Sequence, residues 1–181
     1  MLYNGINVYT SVGTARAIVN ECRVIETHLR LNFIKSEIQF NIGNFTIMPF
    51  ETEHDAAEPL GFLIDHKDIG KLLFATDTYY IRYKFNSLKH FLIECNYSKE
   101  IVKENIKFGL NLTRVKRLLN SHFSLQNVKE FLKETDLSQC EDITLIHLSD
   151  GNSNAAQFKK EIERLTGKPV YIADKGLELE L

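Results

Sequence analysis

Apolar runs in this chain stop, one after another, on side chains that bind metals. FETEHDAAEPLGFLI holds His54 between two such runs, KLLFATDT delivers Asp77, and ITLIHLSDGNS delivers His147. Short runs of aliphatic and aromatic residues bounded by turn formers are buried strands, and the first polar residue after each lies at a sheet edge. Three metal-type side chains are therefore in position to converge on one edge. Paired-histidine motifs do not accompany them: among His28, His54, His66, His90, His122 and His147, no two are separated by one or three residues, so HxH, HExxH and HxHxDH are absent.

The remaining pattern indicates a mixed α/β chain. INVYT, HLRLNFIK, IQFNI and NFTIMPF read as short strands over residues 6 to 50, interrupted by one helical patch at TARAIV. GFLIDH and KLLFATDT, separated by KDIG, read as a hairpin, and HFLIEC reads as a strand covered on both faces. From Ser98 the period lengthens. Ile101, Ile106, Leu118 and Leu119 suit helices, and Leu125, Val128, Phe131 and Leu132 mark a further one. DITLIHL returns to strand; Ala155, Phe158, Ile162 and Leu165 mark a helix ended by Gly167 and Pro169, and PVYIA and LELEL read as closing strands.

At 181 residues and 44% hydrophobic, the chain is long enough for one core, and one domain over 1–181 is expected. A net charge of −2 supplies no bulk attraction to nucleic acid, and Cys22, Cys95 and Cys140 form neither a disulfide framework nor a CxxC site. With no signal-like or membrane-spanning run, a cytoplasmic location is expected.

Each candidate residue has an ordinary alternative. His54 lies in a polar turn, where an imidazole reaches a ligand or simply solvent. Asp77 follows LLFAT, where its charge needs a cation or donors, or where it caps the turn DTYY. His147 lies between a strand and a helix, the place where α/β folds present functional groups, or is buried against backbone. Glu94 at the end of HFLI and His122 in SHFS suit an orienting carboxylate–imidazole pair, while either also suits a purely local role. Cys95 in an apolar strand reads as an inert buried thiol. The basic stretch KEIVKENIKFGLNLTRVKRLL reads first as a solvated amphipathic helix pair and only second as a surface for a phosphodiester backbone.

Taken in order, EHDAAEPLGFLI, LLFATDT, HFLIECNYS, SHFS and ITLIHLSDGNS resemble the later motifs of the metallo-β-lactamase-fold hydrolases. The nearest pattern is their phosphodiesterase side, the tRNA 3′-processing endonucleases and the WalJ-like proteins of bacteria and their phages. The resemblance implies an αββα sandwich. It makes His54, Asp77 and His147 metal ligands, with Asp77 bridging two zinc or manganese ions, and Glu94 and His122 the acid pair that protonates the leaving oxygen. It also implies a nucleic-acid or other phosphodiester substrate.

In that family HxHxDH precedes a segment like NGINVYTSVGTARAI, which here begins just after Met1. The expectation is an incomplete sandwich lacking the first strands, a two-metal site with half its ligands, and a dissociation constant of about 1–100 µM. Self-association, as a homodimer or with a complementing N-terminal fragment, is expected to cover the exposed sheet. The alternative is a non-catalytic binding or scaffold protein that keeps the fold after losing the metal site.

Overall fold

A computed structural model describes residues 4–22 and 30–181. Its described elements are β1 (Val8–Thr10), α1 (Val12–Cys22), β2 (Leu31–Phe33), β3 (Phe40–Ile42), β4 (Phe45–Glu51), β5 (Leu60–His66), β6 (Gly70–Ala75), β7 (Leu88–Glu94), α2 (Lys99–Lys107), α3 (Leu112–Ser121), α4 (Leu125–Glu134), β8 (Asp142–Ile146), α5 (Ala155–Thr166) and β9 (Val170–Ile172). The expected α/β class is the observed one. A seven-stranded sheet runs in the order β3-β4-β5-β6-β7-β8-β9, and β1 and β2 form a separate parallel pair. That pair is all that the described residues contribute to a second sheet.

Strand direction determines where the site lies. β3 to β6 are antiparallel neighbours, whereas β6, β7, β8 and β9 are mutually parallel. Because β4 is two antiparallel steps from β6, it points the same way as β6, β7 and β8. The carboxyl ends of these four strands therefore share one edge, which is the edge where open parallel sheets present ligands.

The apolar pattern explains the layers. β7 is buried along almost its whole length, with Leu88, Phe91 and Ile93 fully covered, as expected of a central strand. Phe123, Leu125, Val128 and Leu132 from the α4 side and Phe158 and Ile162 from α5 join Leu73, Ile143 and Leu145 of the sheet in one core. The helices start where short polar side chains satisfy free N–H groups. Ser98 accepts from Glu100, Asn111 from Thr113 and Arg114, Ser124 from Asn127, and Asn154 from Gln157. α5 ends at Gly167, whose φ of 67° is a left-handed cap.

The β5–β6 hairpin forms as expected, in register from Phe62–Phe74 to His66–Gly70. Gly61 faces Phe50 across β4 and β5, and a Cβ there would lie 2.4 Å from the Phe50 ring. The sheet needs glycine at that position. LELEL is a correction: residues 177–181 form no strand, and Leu177 and Leu181 are exposed. Alternation alone does not make a strand, because its backbone groups need a neighbouring ladder, and residues 177–181 pair with none of the described strands.

Candidate metal centre

All five residues singled out above meet at the shared edge. Asp77 follows β6, Glu94 is the last residue of β7, and His147 follows β8. His54 lies in the β4–β5 loop. That loop is tied to the segment after β6, because the Glu53 N–H donates to Thr78 Oγ1 at 2.9 Å and the Tyr79 N–H to the Glu53 carbonyl at 3.1 Å. His122 caps the C-terminus of α3. Its segment runs beside the extension of β7, with the Asn96 N–H on the Phe123 carbonyl and the Leu125 N–H on the Tyr97 carbonyl, both at 2.8 Å. This pairing puts the His122 ring against Glu94.

Glu94 is the hub. Its carboxylate is fully buried and accepts from His122 Nδ1 at 2.7 Å, the Thr78 N–H at 3.0 Å and the Phe123 N–H at 3.4 Å, with His147 Nδ1 2.9 Å from Oε1. A buried carboxylate needs such donors in place of the water it has lost. The hydrogen bond to Glu94 raises the His122 imidazole above its ordinary value, with the charges on Glu94, Asp77 and Asp55 adding to the effect against partial burial. The carboxylate–imidazole pair expected from sequence is formed; the contact of Glu94 with His147 was not expected.

Asp77 Oδ1 lies 3.4 Å from His147 Nδ1, 3.7 Å from His122 Nδ1 and 3.8 Å from His54 Nε2. One ligand atom from each of Asp77, Glu94, His122 and His147 falls within a span of 4.8 Å. Two donors about 2.1 Å from one tetrahedral ion stand about 3.4 Å apart. The Asp77–His147 pair has that separation, and His54 is slightly wide of it. Carboxylate oxygens and imidazole nitrogens at this spacing fit zinc, manganese or iron.

Two of these residues have unusual backbones. Asp77 and His147 have φ of 52° and 56°, in the left-handed region that costs a non-glycine residue about 1–2 kcal/mol. Neighbouring groups hold them there. Thr78 is pinned to Glu94, and the buried Asn96 donates from Nδ2 to the His147 carbonyl at 2.7 Å while its own carbonyl accepts from Ser149 at 2.9 Å. Thr78 and Asn96 escaped the sequence reading; the only signal for Asn96 was its place just beyond an apolar strand end, in ECNYS. Asp55 escaped it too. Its Oδ1 lies 3.2 Å from His54 Nδ1, and its Oδ2 accepts from Arg117 Nε at 2.9 Å.

Other histidines do different work. His90 is buried in β7 between Asp142 Oδ2 at 2.6 Å and the Ile69 carbonyl at 3.2 Å, as a core residue with both ring nitrogens satisfied. Beside the cluster opens a cavity of about 640 Å³ lined by His122, His147, Arg114, Arg117 and the loop from Leu148 to Asn152.

No protein-family model and no curated relative matches the chain. Solved structures do. The metallo-beta-lactamase fold protein YhfI from Bacillus subtilis aligns with a TM-score of 0.66 at 17% identity, over 94% of this chain and 63% of that one. The fold is the metallo-β-lactamase fold. A diphosphatase from the PhnP family aligns with a TM-score of 0.61 at 14% identity, over 96% of this chain and 57% of that one. CmlA, a diiron β-hydroxylase from Streptomyces venezuelae, aligns at 0.52 and 8% identity, over 82% of this chain and 34% of that one. The chain thus spans less than two thirds of the length of each. No described helix is long and apolar enough to cross a membrane.

Proposed function

We propose that this chain is a metal-dependent hydrolase of phosphodiesters on the metallo-β-lactamase fold, of the branch that includes the tRNA 3′-processing endonucleases and the WalJ-like proteins. The observation that carries the reading is the convergence of Asp77, Glu94, His122 and His147 at the carboxyl ends of β6, β7 and β8, with His54 alongside. His54, Asp77 and His147 hold zinc or manganese, and the fold's diphosphatase and diiron examples support both phosphate chemistry and metal chemistry at such an edge. A bound metal supplies Lewis acidity to a phosphoryl oxygen and lowers the pKa of water.

The chain's own groups do the rest. Glu94 holds the His122 ring through Nδ1, which leaves Nε2 as the atom that delivers a proton to a departing oxygen. The same hydrogen bond raises the His122 pKa above its ordinary value, which favours the protonated ring. Asp55, fixed by Arg117, lies 3.2 Å from His54 Nδ1, which itself accepts from the Ala56 N–H at 3.1 Å, and His54 turns Nε2 towards Asp77. The cavity gives access to the cluster.

The test is hydrolysis of bis(p-nitrophenyl) phosphate by purified chain with zinc or manganese. Activity that disappears in Asp77→Ala and His147→Ala supports the reading; activity indifferent to metal and to both substitutions overturns it.

One observation favours a second reading, a binding or scaffold protein that does no chemistry. Glu94 already has three hydrogen-bond donors from the protein itself, so the cluster holds together without an ion. Metal content below about one ion per several chains, with stability unmoved by chelator, supports that alternative. Partners belong to the same proposal. Phe33, Ile38, Ile42 and Phe45 are exposed around β2 to β4, and a second copy or a complementing fragment covers them; a clean monomer in light scattering at tens of micromolar excludes the homodimer. The free, buried Cys95 and Cys140 suit a reducing, cytoplasmic setting.

A further inference from the structure

Beyond His122, which caps α3, and the Arg117–Asp55 bond, the basic α2–α3 hairpin adds nothing to the cluster, yet it forms one wall of the cavity beside it. Arg114 and Arg117 stand three residues apart on α3, which places both on the same helical face, and both line that cavity across from His122 and His147. Arg117 is held by its Nε–Asp55 bond, which leaves its terminal nitrogens for another acceptor. Arg114 is exposed. Asp150 is the one carboxylate among the lining residues, against the two arginines, of which Arg117 is paired with Asp55.

The lining is not merely charged. Leu110, Leu118 and Leu148 give it an apolar stretch, and the volume of about 640 Å³ is that of a site for a whole organic ligand rather than a bare ion. At the hairpin tip, Phe108 is 87% exposed, an aromatic face in solvent directly after Lys107. Arginines beside an apolar wall, with an exposed ring nearby, suit a nucleotide chain: guanidinium groups take phosphate and apolar faces take base or sugar.

We infer that Arg114 and Arg117 form a subsite for the phosphate next to the scissile one, so that the substrate is an oligonucleotide carrying at least two phosphates rather than an isolated phosphate ester. The inference rests on the reading of the cluster as a phosphodiesterase centre. It explains why the chain needs no overall positive charge: two guanidiniums at the mouth of the site, one of them held by Asp55, replace a broad basic surface.

Calorimetry on the full chain in EDTA at moderate salt separates this subsite from the metal chemistry, with pTpT, which has two phosphates, and TpT, which has one, as probes. Wild type is expected to bind pTpT about tenfold or more tighter than TpT, as one charged hydrogen-bonding contact warrants. Arg114→Gln is expected to bring the two within about twofold and to make the affinity for pTpT less salt-dependent, while Arg114→Lys retains part of the preference. Equal binding of the two probes by wild type, no binding of either, or a full preference in Arg114→Gln overturns the subsite. Metal-dependent cleavage of bis(p-nitrophenyl) phosphate is followed separately. Cleavage without a pTpT preference sinks the subsite alone, and an Arg114-dependent preference without cleavage sinks the hydrolase reading alone.

Discussion

Glu94→Gln tests the hub of the site without changing its shape. The amide oxygen still accepts from the Thr78 and Phe123 N–H groups, but the amide nitrogen replaces the oxygen that faces His122 Nδ1 at 2.7 Å and His147 Nδ1 at 2.9 Å. A charge-assisted hydrogen bond is worth about 1.5–3 kcal/mol and a neutral one about 0.5–1.5, so the exchange costs about 1–2 kcal/mol, or about 2–8 °C in Tm for a chain of this size. The cost depends on pH. The His122 pKa is raised in the folded chain, so its contribution is complete below the unfolded value near 6.5 and is lost as pH rises through the folded value. Urea or thermal melts in EDTA at pH 6 and pH 9 should show the variant destabilised at pH 6 and by about half as much or less at pH 9. Glu94→Ala, which also strands two N–H groups, should cost roughly 3–5 kcal/mol. A Glu94→Gln variant as stable as wild type at pH 6, or a deficit equal at both pH values, refutes the reasoning.

Three further outcomes follow from the geometry. Gly61→Ala drives a Cβ into the Phe50 ring and should cost about 1–3 kcal/mol in urea melts, with Phe50→Leu in the same chain recovering part of the loss. Asn96→Ala removes the bond to the His147 carbonyl and should cost about 1–2 kcal/mol, with metal affinity weakened about tenfold in dialysis. Burial pushes both described thiols up, Cys95 far beyond the usual range and Cys140 to about 11, so neither should be alkylated at pH 8 until the chain is unfolded, as peptide mapping will show.

What the sequence could reveal of the site was the position of each residue along its own element. An apolar run followed by a polar side chain puts Asp77, Glu94 and His147 at strand ends whatever the sheet order. Their meeting depends on β4, β6, β7 and β8 pointing the same way, which is a property of pairing across the chain and leaves no local signal. The same holds for His122, which reaches Glu94 because residues 122–124 run beside 95–97 through the bridge between Tyr97 and Ser124. The left-handed backbones of Asp77 and His147 were equally hidden, since neither residue type demands one; they follow from what Thr78 and Asn96 hold in place. LELEL failed for the opposite reason, having the alternation of a strand but pairing with none of the described strands.

Equilibrium dialysis of the full chain against zinc and manganese, with metal counted per chain, tests the central claim most directly. The expected result is at least one ion per chain with a dissociation constant of about 1–100 µM, lost in Asp77→Ala and in His147→Ala although both variants remain folded. Wild type that takes up no metal across that range, or uptake that both substitutions leave unchanged, contradicts the assignment of Asp77 and His147 as ligands.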